Sequence, residues 1–227
     1  ADIETVRGVL TDSIKVSKLQ EYLYGENGIE KVSDEEIEKY FAENYMRCKL
    51  LMIHKTQDYV YDANGEPVYD TDTSKFVTRE MTDEEIADKK ALYEDLRDSI
   101  LKDGEDFEAL MNEYTMESGM KKFADGYYVT SASTFVPNEV IVALKAIDEG
   151  EVTAVESESA WYIVKRYELI EGAWNNEDYS AAMFGDLRST VSTLAMSELV
   201  APYADEIVVD SKVVETYPIT KFTPNFN

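Results

Sequence analysis

The stretch from Phe135 to Lys165 is the part of the sequence that most restricts the fold. Between residues 140 and 147 the apolar residues recur at helical spacing, which predicts one buried face of a short helix. Gly150 comes just after this predicted helix, at a position where glycine readily takes the left-handed conformation that ends a helix, so we expect a tight turn there. Residues 161–164 are an aromatic and β-branched run that predicts a strand. The stretch therefore predicts a helix, a turn and a strand in succession.

Three blocks of sequence extend this pattern over half of the chain. Residues 46–53 read MRCKLLMI, residues 104–115 read GEDFEALMNEYT, and residues 135–165 contain FVP, GEVT and AWYIVK. In this order the blocks resemble successive motifs of the parvulin family of peptidyl-prolyl cis-trans isomerases, and the resemblance covers residues 46–168. It implies an α+β fold with a parvulin-like (FKBP-like) antiparallel sheet and surrounding helices.

The segment before the first block adds to this resemblance. Residues 32–41 read VSDEEIEKYF, in which Ser33 and Glu36 fit a capping box at the start of a helix. Such a segment is typical of the PrsA/SurA-like secretory foldases, in which helices from both chain ends form a separate chaperone domain. The resemblance thus implies three ranges: 1–45 and 169–227 for the helical chaperone domain, and 46–168 for the parvulin-like domain.

Hydrophobic spacing and turn residues predict most of the other elements. The apolar stripe of a helix over residues 3–24 is interpreted as a core-packing face. Asn64-Gly65 between two alternating runs, 59–61 and 67–69, predicts a hairpin. Two further strands are predicted, over 46–54 and at 207–209. The further helices run from Thr82 to about Lys102, from Asp106 to Tyr114 and from Asp178 to about Tyr203. An irregular tail that contains Pro218 and Pro224 follows the last strand.

The charge of the chain limits the classes of partner. There are 47 Asp and Glu residues against 22 Lys and Arg, which gives a formal net charge of −25 at pH 7. Such a surface repels phosphates and anionic headgroups, so we expect no nucleic-acid partner and no direct binding to a membrane surface. It attracts basic unfolded chains, although solubility alone is an equally good reading of the charge.

The single cysteine and the single histidine restrict the chemistry further. Cys48 has no disulfide partner within the chain, and its apolar surroundings favour a buried structural thiol. His54 has no Cys or second His to complete a zinc site. The sequence contains no signal peptide and no apolar run long enough to span a membrane. No metal and no cofactor is expected.

Acidic residues surround the predicted hairpin. An EF-hand loop needs ligands at alternate positions and a glutamate at the twelfth, and these acids do not have that spacing. The corresponding loop of phosphate-directed parvulins is basic, so the resemblance argues against a preference for phosphoserine-proline and favours apolar or basic client segments. The acids are Asp58, Asp62, Glu66, Asp70 and Asp72.

Prolyl isomerisation requires neither a nucleophile nor a metal. The barrier of ~18–20 kcal/mol arises because the amide loses resonance as it twists, and a dry pocket that grips the proline ring lowers it. The resemblance implies such a pocket, lined by two histidines, an acid or cysteine, a Met/Phe pair and a leucine. The matching positions are Leu50, Glu117 and Tyr162 for the catalytic polar groups, and Asp125, Tyr128, Phe135, Val140 and Ser157 for substrate binding.

Both family histidines are therefore replaced, by Leu50 and by Tyr162. The other interpretation of these two residues is plain strand core. The resemblance implies an extracytoplasmic bacterial foldase and chaperone that binds unfolded exported polypeptides, with weak isomerisation of X-Pro bonds as an open question. The alternative is a catalytically inactive parvulin-fold chaperone or interaction module. Two further possibilities stay open. One is membrane anchoring through an N-terminal lipidated segment that is missing from this sequence, and the other is a homodimer.

Overall fold

The computed structural model describes residues 3–206 except Ser74. The chain divides into two compact units, which we call terminal and central. The terminal unit combines the residues up to Ile37 with those from Leu187 onward, and the central unit is Glu38–Asp186. The predicted short strand at 207–209 and the tail that follows it lie outside the described residues.

Helices and short antiparallel strands alternate along the chain, which confirms the α+β prediction. The α-helices are Ile3–Tyr24 (α1), Asp34–Asn44 (α2), Asp83–Asp98 (α3), Phe107–Tyr114 (α4), Gly119–Lys122 (α5), Asn138–Lys145 (α6), Glu177–Tyr179 (α7) and Leu187–Val200 (α8). The strands are Met46–His54 (β1), Gln57–Tyr59 (β2), Tyr69–Asp70 (β3), Lys75–Phe76 (β4), Thr78–Glu80 (β5), Tyr127–Val129 (β6), Val152–Glu156 (β7) and Ala160–Tyr167 (β8).

The central unit is built on a four-stranded sheet in the order β6-β1-β8-β7, and each neighbouring pair is antiparallel. β1 is a central strand, and Cys48 on it is fully buried, as predicted from its apolar run. Burial raises the pKa of the Cys48 thiol to about 12. The thiolate is therefore suppressed at neutral pH, and Cys48 is a packing residue.

α3 begins at the residue that the sequence indicates. The Thr82 side chain accepts a hydrogen bond from the Glu85 amide, and the Glu85 side chain accepts one from the Thr82 amide, so the capping box is complete. Beyond Asp98 the chain continues as a single π-type turn, Ser99–Asp103, and stops at Gly104, whose φ is +75°. The predicted end near Lys102 is therefore confirmed.

The acidic hairpin differs from the prediction. Asp62-Ala63-Asn64-Gly65-Glu66 does form a tight turn, with Gly65 at φ +82° and an Asp62 amide that donates to the Glu66 carbonyl at 2.8 Å. However, β2 pairs with β5, so its partner lies beyond the second predicted run. The pairing between the two predicted runs is reduced to one bridge, Tyr61 to Pro67. The Val60 amide donates instead to the Val77 carbonyl, and the Val77 amide donates to the Val68 carbonyl, so Val77 ends the pairing between the two runs.

The predicted helix from Asp178 to Tyr203 is wrong as a single element. The chain forms α7 and a π-type turn, Ser180–Phe184, before Gly185 takes a φ of +60°. A left-handed residue cannot continue a right-handed helix, so α8 starts anew at Leu187. The last described residues, Ala201–Glu206, are a 3-10 helix.

The terminal unit contains α1 and α8. Gln20 Nε2 donates to Thr193 Oγ1 at 3.0 Å, and Ser192 Oγ donates to the Tyr24 carbonyl at 3.3 Å. The interpretation of the α1 stripe as core packing is wrong, because Ile3 is 76% exposed and its stripe neighbours Val6, Leu10 and Ile14 are exposed as well. α2, by contrast, has a buried face, since Ile37 and Phe41 are fully buried.

No helix within residues 3–206 combines the length and the apolar character that crossing a membrane requires.

Candidate functional site

One face of the central sheet holds Leu50 and Tyr162, the two residues predicted to replace histidines. Side chains two residues apart on a strand lie on the same face, so Leu50, Met52 and His54 of β1 share one. In the antiparallel register, Leu50 is opposite Val164 and Met52 is opposite Tyr162. Leu50 and Tyr162 are therefore diagonal neighbours on this face, which we call the Leu50 face.

Both of these side chains are buried. Leu50 is 1% exposed and Tyr162 is 4% exposed. Burial raises the pKa of Tyr162, while a hydrogen bond with Ser157 lowers it. Ser157 is itself buried, and its Oγ accepts hydrogen bonds from the amides of Ser159 and Ala160 in the turn between β7 and β8. Ser157 therefore shapes the turn as well as touching Tyr162.

A short segment covers the open edge of β1. β6 pairs with β1 only from Met46 to Cys48, so the following backbone groups need other partners. Thr115 Oγ1 donates to the Leu50 carbonyl and accepts from the Met52 amide, both at 3.1 Å. The Met116 amide donates to the Met52 carbonyl at 2.8 Å. These bonds fix the position of the next residue, Glu117.

Glu117 is the acidic group of the site. Its Oε1 accepts a hydrogen bond from Tyr127 Oη at 2.8 Å and another from the Gly119 amide at 3.0 Å. Burial raises the pKa of Tyr127, and the negative charge of Glu117 raises it further. The pKa values of Tyr59 and Tyr162 are raised mainly by burial, and the negative charge of Glu117 is the second cause in both. One carboxylate thus influences three phenols and is hydrogen-bonded to one of them, Tyr127.

Gly119 makes the contact between Glu117 and Tyr127 possible. A Cβ at this position would lie 1.6 Å from Tyr127 Oη. No side chain could therefore replace glycine here unless the Tyr127 ring moved away from Glu117.

A cleft of about 220 Å³ opens beside Tyr162 at the end of β1. Its walls mix apolar, aromatic and hydroxyl groups, as is common for sites that bind small organic groups. The lining residues are Met52, His54, Thr56, Gln57, Tyr59, Thr78, Ser159 and Ala160.

His54 is the titratable group of this cleft. Its ring lies 4.8 Å from the ring of Tyr59, and its Nδ1 is buried without a hydrogen-bond partner among the described residues. Burial lowers the pKa of His54, Lys89 lowers it further, and the charges of Asp58 and Glu117 oppose the shift. The imidazole is therefore neutral at pH 7.

Phe135 lies on the same side of the molecule as Glu117. Its ring meets the ring of Tyr127 edge to face at 5.4 Å, and 44% of the side chain is exposed. An exposed ring held against a buried one can take part in binding without rearrangement of the core.

Two residues predicted to bind substrate lie elsewhere. Tyr128 pairs with Arg47, so its side chain lies on the opposite face of the sheet, where it is fully buried. Asp125 accepts a hydrogen bond from Tyr179 Oη at 2.6 Å, and its carbonyl accepts one from Arg47.

α6 packs against the Leu50 face, because Arg166 of that face donates to the Leu144 and Ile147 carbonyls at the end of the helix. Val140 of α6 is fully buried. The structure brings Leu50, Glu117, Phe135, Ser157 and Tyr162 together without Tyr128 and Asp125.

Comparisons with known proteins were made by sequence and by structure. No family model matches the chain, and no curated protein does. The solved structures that match include foldase protein PrsA from Streptococcus pneumoniae, with 19% identity over 95% of this chain and 69% of that one and a TM-score of 0.35. PrsA from Bacillus subtilis matches with 22% identity over 82% of this chain and 61% of that one, at a TM-score of 0.34.

A third match is a structure reported for the SurA-like chaperones PEB4 and Cj1289 of Campylobacter jejuni, with 9% identity over 92% of this chain and 72% of that one and a TM-score of 0.27. The chain resembles PrsA and SurA-like proteins. This confirms the resemblance predicted from the sequence motifs. Identities and TM-scores this low carry no conclusion about the site, so the proposals below start from the residues and contacts already described.

Three residues of the site were not predicted from the sequence: His54, Tyr59 and Tyr127. The signal for His54 was present, since alternation along β1 places residues 50, 52 and 54 on one face. Tyr127 was missed by a one-residue slip toward Tyr128, and such a slip transfers a side chain to the other face of a sheet. Tyr59 carried no signal, because the hairpin prediction gave its run the wrong partner.

Among residues 3–73 and 75–206 no group of three or more His, Cys, Asp or Glu side chains could hold a metal ion.

His54 makes the stability of the central unit depend on pH. A histidine whose folded pKa lies below its unfolded value of ~6.5 binds its proton more readily in the unfolded chain. Its contribution is therefore present above the unfolded pKa and is lost as the pH falls through and below that value. We expect the free energy of unfolding to fall as the pH drops from 7.5 to 5.5, with a slope below about 1.4 kcal/mol per pH unit, which is the limit for one proton.

Urea titrations of wild type and His54→Gln at several pH values check this. Because the chain has one histidine, the substitution should remove most of the slope in this range. An equal slope in both proteins would show that His54 is not buried in its neutral form.

Proposed function

We propose that this chain is a parvulin-like foldase that binds extended segments of unfolded polypeptides at the cleft that opens at the end of the Leu50 face. Chaperone-type binding is its main activity, and peptidyl-prolyl isomerisation is weak. One observation carries the proposal: Leu50, Glu117 and Tyr162, which are distant in sequence, come together at one face of the central sheet, and Met52 and Ala160 of the same face line a cleft of about 220 Å³.

The site has the parts needed to hold a proline-containing segment. Met52 and Ala160 supply apolar walls next to Tyr162. Phe135 offers an exposed ring beside Tyr127. Removing water from a twisting prolyl amide favours isomerisation, because the twisted amide has less charge separation than the planar one. These parts support binding, and they support slow catalysis as well.

The polar groups of the site favour weak catalysis. The Leu50 side chain can neither donate nor accept a hydrogen bond, and Tyr127 already donates to the Glu117 carboxylate at 2.8 Å. The neutral His54 ring is at the edge of the cleft beside Tyr59. No pair of imidazoles can form in a chain with one histidine. The second candidate function is a catalytically inactive chaperone or interaction module, and it is favoured by the same absence of paired imidazoles.

The rest of the proposal follows the family resemblance. The central unit is proposed as the parvulin-like domain, and the helices of the terminal unit as part of a helical chaperone domain. Exported, unfolded polypeptides are the proposed partners, and the proposed location is extracytoplasmic.

A protease-coupled proline assay tests the catalytic part. We expect catalysis about 10²-fold or more below that of a two-histidine parvulin, since losing one preorganised donor costs about that factor. Suppression of client aggregation, measured in parallel, should be substantial. Glu117→Gln should change both readouts, and Glu105→Gln, an exposed acid after the π-type turn, serves as the matched control.

The results separate the candidates. Catalysis equal to that of a two-histidine parvulin would contradict the expectation of weak activity. Aggregation suppression without catalysis would favour the inactive chaperone. A protein with neither activity would overturn the proposed function.

A further inference from the structure

A row of aromatic rings leads outward from the cleft. Its outer three rings lie within residues 57–80, which we call the hairpin arm. The His54 and Tyr59 ring centroids are 4.8 Å apart, those of Tyr59 and Phe76 are 5.3 Å apart, and those of Phe76 and Tyr69 are 5.2 Å apart. The four rings therefore form an unbroken series of contacts that starts in the wall of the cleft.

The outer end of the row is open to solvent. Tyr69 is 51% exposed and Phe76 is 37% exposed. Backbone pairing holds them in place, because Tyr69 is opposite Phe76 and Tyr59 is opposite Thr78 in the antiparallel registers. Contiguous exposed aromatic surface on a folded chain commonly marks an interaction site.

The base of the arm is tied to α3. Lys89 Nζ is 3.2 Å from Asp58 Oδ2, and both side chains are largely buried. Arg79 forms a two-point pair with Glu85, with distances of 2.6 and 2.9 Å. These contacts hold the aromatic row in a fixed direction from the cleft.

The arm is strongly negative around the rings. Residues 57–80 contain the acids Asp58, Asp62, Glu66, Asp70, Asp72 and Glu80 against two cations, Lys75 and Arg79. Arg79 is already paired with Glu85. The arm therefore has few cations of its own to neutralise these carboxylates.

Two of the acids are fixed by their turns. Asp62 Oδ1 accepts hydrogen bonds from the amides of Asn64 and Glu66, and Asp70 Oδ1 accepts one from the amide of Asp72. These backbone hydrogen bonds lower the pKa values of Asp62 and Asp70. Both carboxylates are thus ionised at neutral pH, and both belong to the same arm as the aromatic row.

We propose that the hairpin arm is a docking strip for a lysine- or arginine-containing segment of an unfolded polypeptide, adjacent to the segment held in the cleft. Charge complementarity identifies the occupant: ammonium and guanidinium groups are attracted to aromatic faces within about 6 Å and to nearby carboxylates. Continuity with the cleft gives the geometry, since Tyr59 and Thr78 belong to both. This inference rests on the proposed function, because it assigns the flanking part of the same client.

Peptide binding tests the inference. Three fluorescent peptides of equal length, without proline, would carry lysine, glutamine or glutamate at the same positions, and anisotropy would give their affinities at low and high salt. We expect the lysine peptide to bind about tenfold more tightly than the glutamine peptide at low salt, with the difference shrinking as salt screens the charges. The glutamate peptide should bind most weakly.

Two double variants separate the rings from the charges. Tyr69→Leu with Phe76→Leu keeps apolar volume and should weaken lysine-peptide binding about fivefold, with little effect on the glutamine peptide. Glu66→Gln with Asp72→Asn leaves the acids that anchor the turns intact and should flatten the salt dependence. Asp103→Asn with Glu105→Gln makes the same charge change at exposed positions outside the arm and should change nothing. Circular dichroism would confirm that all variants fold.

Each of the other outcomes would contradict the docking strip, the proposed function or both. Equal affinity for all three peptides, with aggregation suppression intact, would overturn the docking strip and leave the proposed function standing. Binding of no peptide, with no suppression, would overturn both. Equal weakening by the control variant would assign the preference to the overall charge of −25, and wild-type affinity in both arm variants would place the cationic segment elsewhere. Either result would overturn the docking strip.

Discussion

Replacing Gly126 with alanine is expected to destabilise the central unit by about 3–5 kcal/mol. The residue has a φ of +91°, and a Cβ would lie 2.3 Å from the Cys48 carbonyl oxygen and 2.9 Å from Lys49 Cγ. Cys48 belongs to β1, which pairs on both sides with β6 and β8. The backbone oxygen cannot yield without disturbing the central strand of the sheet.

Gly65→Ala provides the matched control. Its φ of +82° is similar, but nothing lies within 4 Å of the added Cβ. It should therefore cost only the conformational term of about 1–2 kcal/mol. Thermal melts should show a fall of about 10 °C for Gly126→Ala and about a third of that for Gly65→Ala. Equal shifts in the two variants would mean that the contact with Cys48 is relieved by a small backbone movement.

The elements predicted most accurately are those with local and consistent signals. β1 was predicted from one apolar run and spans Met46–His54, as expected. α3 begins at the capping box formed by Thr82 and Glu85, which requires only residues three apart. In both cases the residues that determine the element lie within the element or next to it.

One error has a local cause and the other depends on distant residues. The apolar spacing from Phe184 to Leu194 suits a continuous helix, yet Gly185 breaks it with a φ of +60°. The Asn64-Gly65 turn was predicted correctly, but the partner of β2 is β5, whose first residue comes thirteen positions after the glycine. Turn chemistry fixes the local bend, while the choice of partner depends on the packing of Asp58 and Arg79 against α3.

The candidate site could be predicted only in part, because the family resemblance orders positions and does not give their faces. Glu117 aligned loosely, and its location depends on backbone bonds that Thr115 and Met116 make to β1. Tyr127 contacts it because Gly119 leaves room for the phenol. A sequence shows none of these three-dimensional requirements, although each follows from the need to satisfy the open edge of a central strand.

Tyr128→Ala is expected to destabilise the central unit by about 3–5 kcal/mol, as for other truncations of buried rings. Tyr128 is fully buried, and its ring is 5.8 Å from Phe41 and 5.1 Å from Phe184. Its Oη is buried without a hydrogen-bond partner among the described residues, and burial raises the pKa of Tyr128 to about 12. Tyr128→Phe removes that hydroxyl and keeps the ring, so it should leave stability unchanged or raise it slightly.

The same two variants decide whether Tyr128 binds clients. Because Tyr128 lies on the face opposite Leu50, Tyr128→Phe should bind the lysine peptide as wild type does. Tyr127→Phe removes the hydrogen bond to Glu117 and should alter binding without a large loss of stability. Urea unfolding and peptide anisotropy on the same samples give both quantities. If Tyr128→Phe weakened peptide binding at unchanged stability, the phenol predicted from the sequence would be the one that contacts the client, and the Leu50 face would not be the binding surface.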